Sequence, residues 1–314
     1  QSGTFTANDV VLRFHDKGKK VSFNVYIRQQ IARLKRLGKI RTSETYTAAL
    51  KSFSGFMNDR EVAFDELNAD LLAEYEAYLK SRDNSPNTIS FYMRILKAVY
   101  NRAVENGLTE QRHPFKSVYT GVEKTMKRAL SLNDIRRIKG LDLSLKPNLD
   151  YACDMFLFCF YTRGMSFIDM AYLRKKDLLN GTLSYRRRKT GQQLFIKWEK
   201  CMQEIVDKYP INETEYLLPI ITKHDEDYRK QYTNELHRVN HLLKKIGKLL
   251  DLPIPLTMYV GRHSWASIAK SRNVPISVIS EGMGHDSENT TQIYLASLDT
   301  TVVDKANKKI LDLL

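Results

Sequence analysis

Three residue types near the C-terminal end can act together on a phosphodiester. Arg262 sits in Tyr259-Val260-Gly261-Arg262-His263-Ser264-Trp265-Ala266, His285 follows Gly282-Met283-Gly284, and Tyr294 comes nine residues later in Gln292-Ile293-Tyr294-Leu295. A guanidinium grips phosphate oxygens in a fixed fork, an imidazole donates a hydrogen bond or proton, and a phenol oxygen can attack phosphorus. Taken singly each is weak. An arginine on a packed helix more often meets a carboxylate, a histidine after glycine is usually a surface cap, and Tyr294 is one of 17 tyrosines. The joint order and spacing carry the signal. A fourth group is Lys189, in Arg186-Arg187-Arg188-Lys189-Thr190-Gly191. Four cations on a turn suit a groove or a phosphate, although a solvated basic turn gives the same pattern.

These groups need elements to hold them. Tyr259, Arg262, His263 and Ala266 fall at i, i+3, i+4 and i+7, one face of a helix, with Trp265, Ile268 and Ala269 turned to a core. Ser287 and Asn289 open a helix that carries Tyr294 about one and a half turns in. Thr182–Tyr185 and Leu194–Trp198 flank Lys189-Thr190-Gly191-Gln192, a β-hairpin pattern. Further helices are expected over roughly 199–209, 226–250, 259–272, 276–282, 289–297 and 301–313, and an apolar one from about Leu149 to Tyr161.

The first part of the chain reads as a small helical domain. Four stripes recur at helical spacing: Phe23, Ile27, Ile31, Leu34; Tyr46, Leu50, Phe53, Met57; Leu72, Tyr75, Leu79; and Ile89, Met93, Leu96, Tyr100, Ala103. The last starts at Ser85-Pro86, an N-cap and an N1 proline, and stops at Gly107. Residues 109–129 lack a period and hold the basic stretch Lys124, Lys127, Arg128, read as lying between domains and able to follow a phosphate backbone. Ser131-Leu132-Asn133-Asp134 caps the next helix.

Composition agrees with a polyanion-binding protein. The net charge is +14; residues 1–128 hold 22 Lys and Arg against 14 Asp and Glu, and residues 129–314 hold 28 against 22. The positive charge is spread along the chain instead of sitting in a tail. No apolar run approaches the ~18–20 residues of a membrane span. Cys153, Cys159 and Cys201 form neither a disulfide framework nor a metal-binding spacing, which fits a reducing cytoplasm. His237 and His241 are four apart on a helical stretch, but Arg238 stands where a zinc protease needs glutamate and a third ligand is missing, so no metal is expected. Nor do the glycines form a phosphate-binding loop, and no nucleotide cofactor is implied.

The pattern Arg-His-Ser-Trp, then Gly-His with Tyr nine residues beyond the histidine, resembles the tyrosine recombinase, or phage integrase, family over about residues 21–314. It is most similar to integrases of Bacteroidetes mobile elements, through Phe160-Tyr161-Thr162-Arg163-Gly164-Met165-Ser166-Phe167 and the Arg-His-Ser-Trp box. The resemblance implies a mainly α fold with a small antiparallel sheet. A helical core-binding domain at 21–118 and a linker at 119–130 would precede a mixed catalytic domain at 131–314 ending in an oligomerisation helix. Residues 1–20 would be a lead-in, the remnant of an upstream arm-binding region. It further implies a clamp around duplex DNA, attack by Tyr294 to give a 3′-phosphotyrosine, and a proton from Lys189 to the leaving 5′ oxygen. A tetramer on DNA, DNA-bending helper proteins from host or element, and a place in the bacterial nucleoid belong to the same implication.

Two positions depart from the family pattern. Tyr259 stands where the second box usually begins with histidine. Ser166 falls at the first-box arginine, by alignment of Asp169 and Leu173-Arg174-Lys175-Lys176-Asp177 with the family's supporting acidic residue and following turn. A hydroxyl cannot replace a bidentate guanidinium. Arg163, three residues earlier, would share a helical face with Ser166 and is the nearest substitute; Arg186 to Arg188 are the alternative source. Integration or excision of a mobile element is the expected role. DNA inversion or resolution by the same chemistry, and an idle DNA-binding relative, stay open.

Overall fold

A computed structural model describes residues 21–123, 128–295, 307–308 and 310–312, with only the helical backbone of Ile293 and Tyr294. Lys124, Lys127 and most of the expected 301–313 helix lie outside the described residues. The chain is mainly helical with one small antiparallel sheet, as expected, and divides into two compact units, residues 1–125 and 126–314.

The first unit contains α1 (Phe23–Arg36), α2 (Ile40–Phe56), α3 (Ala69–Ser81) and α4 (Pro86–Glu105). Ser22, Asn68 and Ser85 start α1, α3 and α4 by accepting from the backbone N–H three residues on. The expected stripes of α1, α3 and α4 are buried, all but Leu34 in one core with Phe53 of α2, while Tyr46, Leu50 and Met57 pack at its margin. Each buried Phe or Leu contributes about 1.5–3 kcal/mol relative to exposure. Sequence periodicity stops at Gly107, yet the core does not. Phe115 and Val118 are buried in it, and the Tyr100 hydroxyl donates to Glu110 O at 2.8 Å. Asn87 then bonds Glu123 through both backbone groups, at 2.8 and 3.0 Å, so this aperiodic stretch is held by side chains of α4.

The second unit is built around α6 (Pro147–Tyr161), which follows the capping-box helix α5 (Leu132–Lys139). Residues Tyr151 to Cys159 of α6 are all buried. A helix apolar on every side needs neighbours on every side; α8 (Lys200–Asp207), α9 (Tyr228–Leu249) and α10 (Met258–Ser271) supply them. Cys153 and Cys159 belong to this core, and burial pushes both thiols up to about 12.

α6 ends by a left-handed turn. Arg163 has φ +60° and Gly164 φ +76°, and the N–H groups of both return to the carbonyls of Phe160 and Cys159. Ser166 is the N-cap of a separate short helix, α7 (Phe167–Ala171). The single helical face expected for Arg163 and Ser166 therefore does not exist. After α7 come β1 (Leu178–Leu179), β2 (Thr182–Arg186) and β3 (Gln193–Lys197), antiparallel in that order, with Leu183 opposite Ile196 and Arg186 opposite Gln193. α11 (Ile276–Met283) and α12 (Glu288–Leu295) complete the described elements, and Ile279, Met283 and Leu295 pack with Ala266 of α10 in a third cluster.

Candidate active site

Arg262 projects from the second turn of α10 and is only 7% exposed. Gly164 makes room for it: a Cβ there would lie 2.8 Å from the Arg262 Cα, and its φ of +76° already favours glycine. The guanidinium donates to Gly164 O at 2.6 Å through Nη1 and to Met283 O at 2.8 Å through Nη2. Two backbone carbonyls thus orient the fork while no carboxylate neutralises it among the described residues, a state suited to an incoming anion. Tyr259, one turn earlier, is 59% exposed and meets the His263 ring edge-on at 4.2 Å. Ala266 is not on this polar face as expected. It packs with Trp265 and Ala269 against α11, because the narrow side chain is wanted where α10 and α11 meet.

His285 is delivered by the C-cap of α11. Gly284 takes φ +65°, and His285 N returns to Ser280 O at 3.0 Å. Nε2 lies 3.0 Å from Arg262 Nη2, and Nδ1 lies 2.8 Å from Thr291 Oγ1. A guanidinium can only donate, so Nε2 accepts and Nδ1–H donates to Thr291. Burial, then the charges of Arg262, Arg187 and Lys189, push the imidazole down to about 4. Thr291 had no sequence signal. It is a fully buried hydroxyl on α12, three residues before Tyr294, and links the helix carrying that tyrosine to the imidazole.

The hairpin supplies the remaining cations, and strand alternation sorts them. Leu183, Tyr185 and Arg187 point inward and are buried; Arg186 and Arg188 point away. Arg186 donates to Gly191 O at 2.8 Å, and Arg188 lies over the Tyr172 ring at 3.9 Å from its centroid. Both line a neighbouring groove of about 960 Å³, which Arg187 borders as well. Lys189 is exposed at the tip. It lines the same cleft, about 780 Å³, as Ser166, Arg187, Tyr259, Arg262 and His285. Asp169 is buried and ties this wall together, accepting from Ser166 Oγ at 2.6 Å and from Arg188 N at 2.9 Å.

Arg163 does not line that cleft. Its side chain runs past Gly282, where a Cβ would meet Arg163 Cδ at 3.6 Å and the Trp265 ring at 3.4 Å. Arg128 is exposed, two residues before Leu130, whose N–H donates to Ser264 Oγ at 2.8 Å. His237 and His241 are exposed on α9, and among the described residues no three His, Cys, Asp or Glu gather to hold a metal. No helix among those residues is long and apolar enough to cross a membrane.

Family and structural comparisons agree with this fold. Residues 22–119 match the phage integrase SAM-like domain and residues 149–301 match the phage integrase family. The tyrosine recombinase XerA of Thermococcus kodakarensis is 25% identical over 235 residues, 73% of this chain and 77% of that protein. The tyrosine recombinase XerD of Listeria innocua is 21% identical over 269 residues, 81% and 86% of the two chains. Among solved structures, a lambda integrase dimer bound to a COC′ core site is similar with TM-score 0.67, at 14% identity, over 91% of this chain and 80% of that one. The Tn1549 transposon integrase in complex with transposon right end DNA gives TM-score 0.63, at 15% identity, over 92% and 99%. The chain belongs to the phage integrase family of tyrosine-type site-specific DNA recombinases.

Proposed function

We propose that this recombinase integrates and excises a mobile element, cutting and rejoining duplex DNA through Tyr294. The observation that carries the chemistry is the bond between His285 Nδ1 and Thr291 Oγ1. It fastens the helix bearing Tyr294 to the imidazole, which in turn meets Arg262 at 3.0 Å. The Tyr294 oxygen attacks the scissile phosphorus as the bond to the 5′ oxygen breaks, leaving a 3′-phosphotyrosine. Lys189 protonates the departing 5′ oxygen, and neutral His285 can take the phenolic proton. Arg262 holds the non-bridging oxygens, with a hydrogen bond from Tyr259 in place of the usual histidine. A partner strand's 5′ hydroxyl reverses the step. The phosphodiester energy stays in the covalent link, so neither nucleotide nor metal is required.

Both units carry net positive charge, which supports a core-binding role for the first and a catalytic role for the second on the same duplex. Assembly as a tetramer with DNA-bending helpers, and work at the nucleoid in the cytoplasm, follow from this reading. The likeness to a transposon integrase supports the mobile-element role. On a nicked suicide substrate the wild-type protein should form a covalent adduct, while Tyr294→Phe binds equally and forms none; an adduct that persists in Tyr294→Phe refutes the nucleophile. In the host, a circular excised form detected across the element's ends supports the mobile-element role, and an inverted chromosomal segment overturns it.

A further inference from the structure

The transition state of phosphoryl transfer spreads extra negative charge over the non-bridging oxygens, and a single guanidinium leaves part of it unmatched. Arg262 supplies one cation, and Ser166, a hydroxyl engaged by Asp169, supplies none. A second cation should be buried, free of an ion pair and open to the same cleft. Arg163 fails on position. Arg186 and Arg188 line only the neighbouring groove and not the cleft of Arg262. Lys189 has the exposed tip and the leaving oxygen.

Arg187 meets every condition. It is 6% exposed and lines the cleft with Arg262, His285 and Ser166. Nη1 donates to Gly284 O, the carbonyl preceding His285. Nε is fully buried and meets no acceptor among the described residues. No carboxylate lies within ion-pair distance of it among those residues; Asp169, engaged with Ser166 and Arg188 N, and Asp286 on the same cleft act on it only from farther off. A buried cation with no ion-paired carboxylate is costly, and a chain that only needed to fill the end of β2 would place another Leu or Tyr there. Burial, then the charge of Arg262, disfavour the charged form and outweigh the opposing pull of Asp169 and Asp286, the state expected of two cations held side by side for one anion.

Resting on the phosphoryl-transfer reading above, we infer that Arg187 is the second phosphate-binding arginine of this site, delivered by the hairpin instead of the turn before α7. The fork contacts a non-bridging oxygen of the scissile phosphate through the donors left over from Gly284.

The test compares covalent-adduct rates for wild type, Arg187→Gln, Arg187→Lys and Arg163→Ala on one nicked duplex, with DNA binding and thermal unfolding measured alongside. Loss of a preorganised charged donor predicts an adduct rate about 10²–10³-fold slower in Arg187→Gln, with binding changed only a few-fold. On a duplex whose scissile phosphate is replaced by a neutral methylphosphonate, that deficit should shrink towards parity, since there is less charge to match. A residue that merely shapes the hairpin would slow both substrates alike, and that result overturns the inference. So does a wild-type rate in Arg187→Gln with the loss falling on Arg163→Ala. If Arg187→Gln does not fold, Arg187→Lys decides. Its point charge cannot reproduce the fork and should cleave about tenfold slower or worse, and a wild-type rate there is fatal. Wild type that forms no Tyr294-dependent adduct at all fails the family chemistry itself, a result separable from failure of Arg187 alone.

Discussion

Arg262 Nη2 and His285 Nε2 lie 3.0 Å apart, donor to acceptor, so the imidazole in the free protein is neutral and carries its proton on Nδ1. The site at rest is a neutral histidine held among cations.

A pH dependence of stability follows. His285 is held down to about 4 against an ordinary 6.5. Between those values the unfolded chain binds more protons than the folded one, so stability rises with pH across the window. The contribution is fully present above 6.5 and is lost as pH falls through 4. In thermal unfolding, His285→Gln should lose less midpoint temperature than wild type between these two pH values. Parallel curves would show that the imidazole is not held neutral.

Thr291→Val removes the acceptor for His285 Nδ1–H while keeping shape. A buried donor left unpaired costs about 1–3 kcal/mol. Thermal stability should fall by that order. Adduct formation should slow by about tenfold if ~1.4 kcal/mol of the loss is felt in the transition state. Unchanged rate and stability would mean that the imidazole is held by other groups.

Gly164→Ala tests the close approach of α10. A methyl 2.8 Å from the Arg262 Cα, on a residue at φ +76°, forces the backbone to shift. A destabilisation on the order of 1–3 kcal/mol is expected from the conformation alone, together with a loss of adduct as Arg262 moves. A variant as stable and active as wild type would show that the contact is loose.

Salt dependence measures the electrostatic grip. For about 6–10 phosphate contacts, affinity should fall ~10³–10⁵-fold between about 50 and 200 mM salt. A nearly flat titration of duplex binding would contradict a protein whose positive charge is spread over both units.

Arg262, His285 and the hairpin were legible because their signals are local: a box, a glycine cap, two alternating runs about a turn. The role of Arg187 was present in Leu183-x-Tyr185-x-Arg187, where period two puts the third residue on the apolar face. It was hidden because the run of four cations reads as one solvated tip. Arg163 was misread for the opposite reason. Helical spacing was carried through Gly164, where the left-handed turn ends α6 and swings the side chain towards Gly282. Thr291 could not be found from sequence, since a threonine in a polar helix shows its value only once His285 is beside it. Phe115 and Val118 were missed because an irregular chain can bury side chains without any period.

The carbonyl of Gly284 takes a hydrogen bond from Arg187 Nη1 and is approached by Thr190 Oγ1 at 3.4 Å. One oxygen therefore joins the hairpin to the loop that ends in His285. Lifting the tip would strip that oxygen of its donors and unseat the imidazole's support in the same motion. The hairpin tip and the turn that presents His285 are thus pinned at one shared acceptor, so a displacement of either is felt by the other.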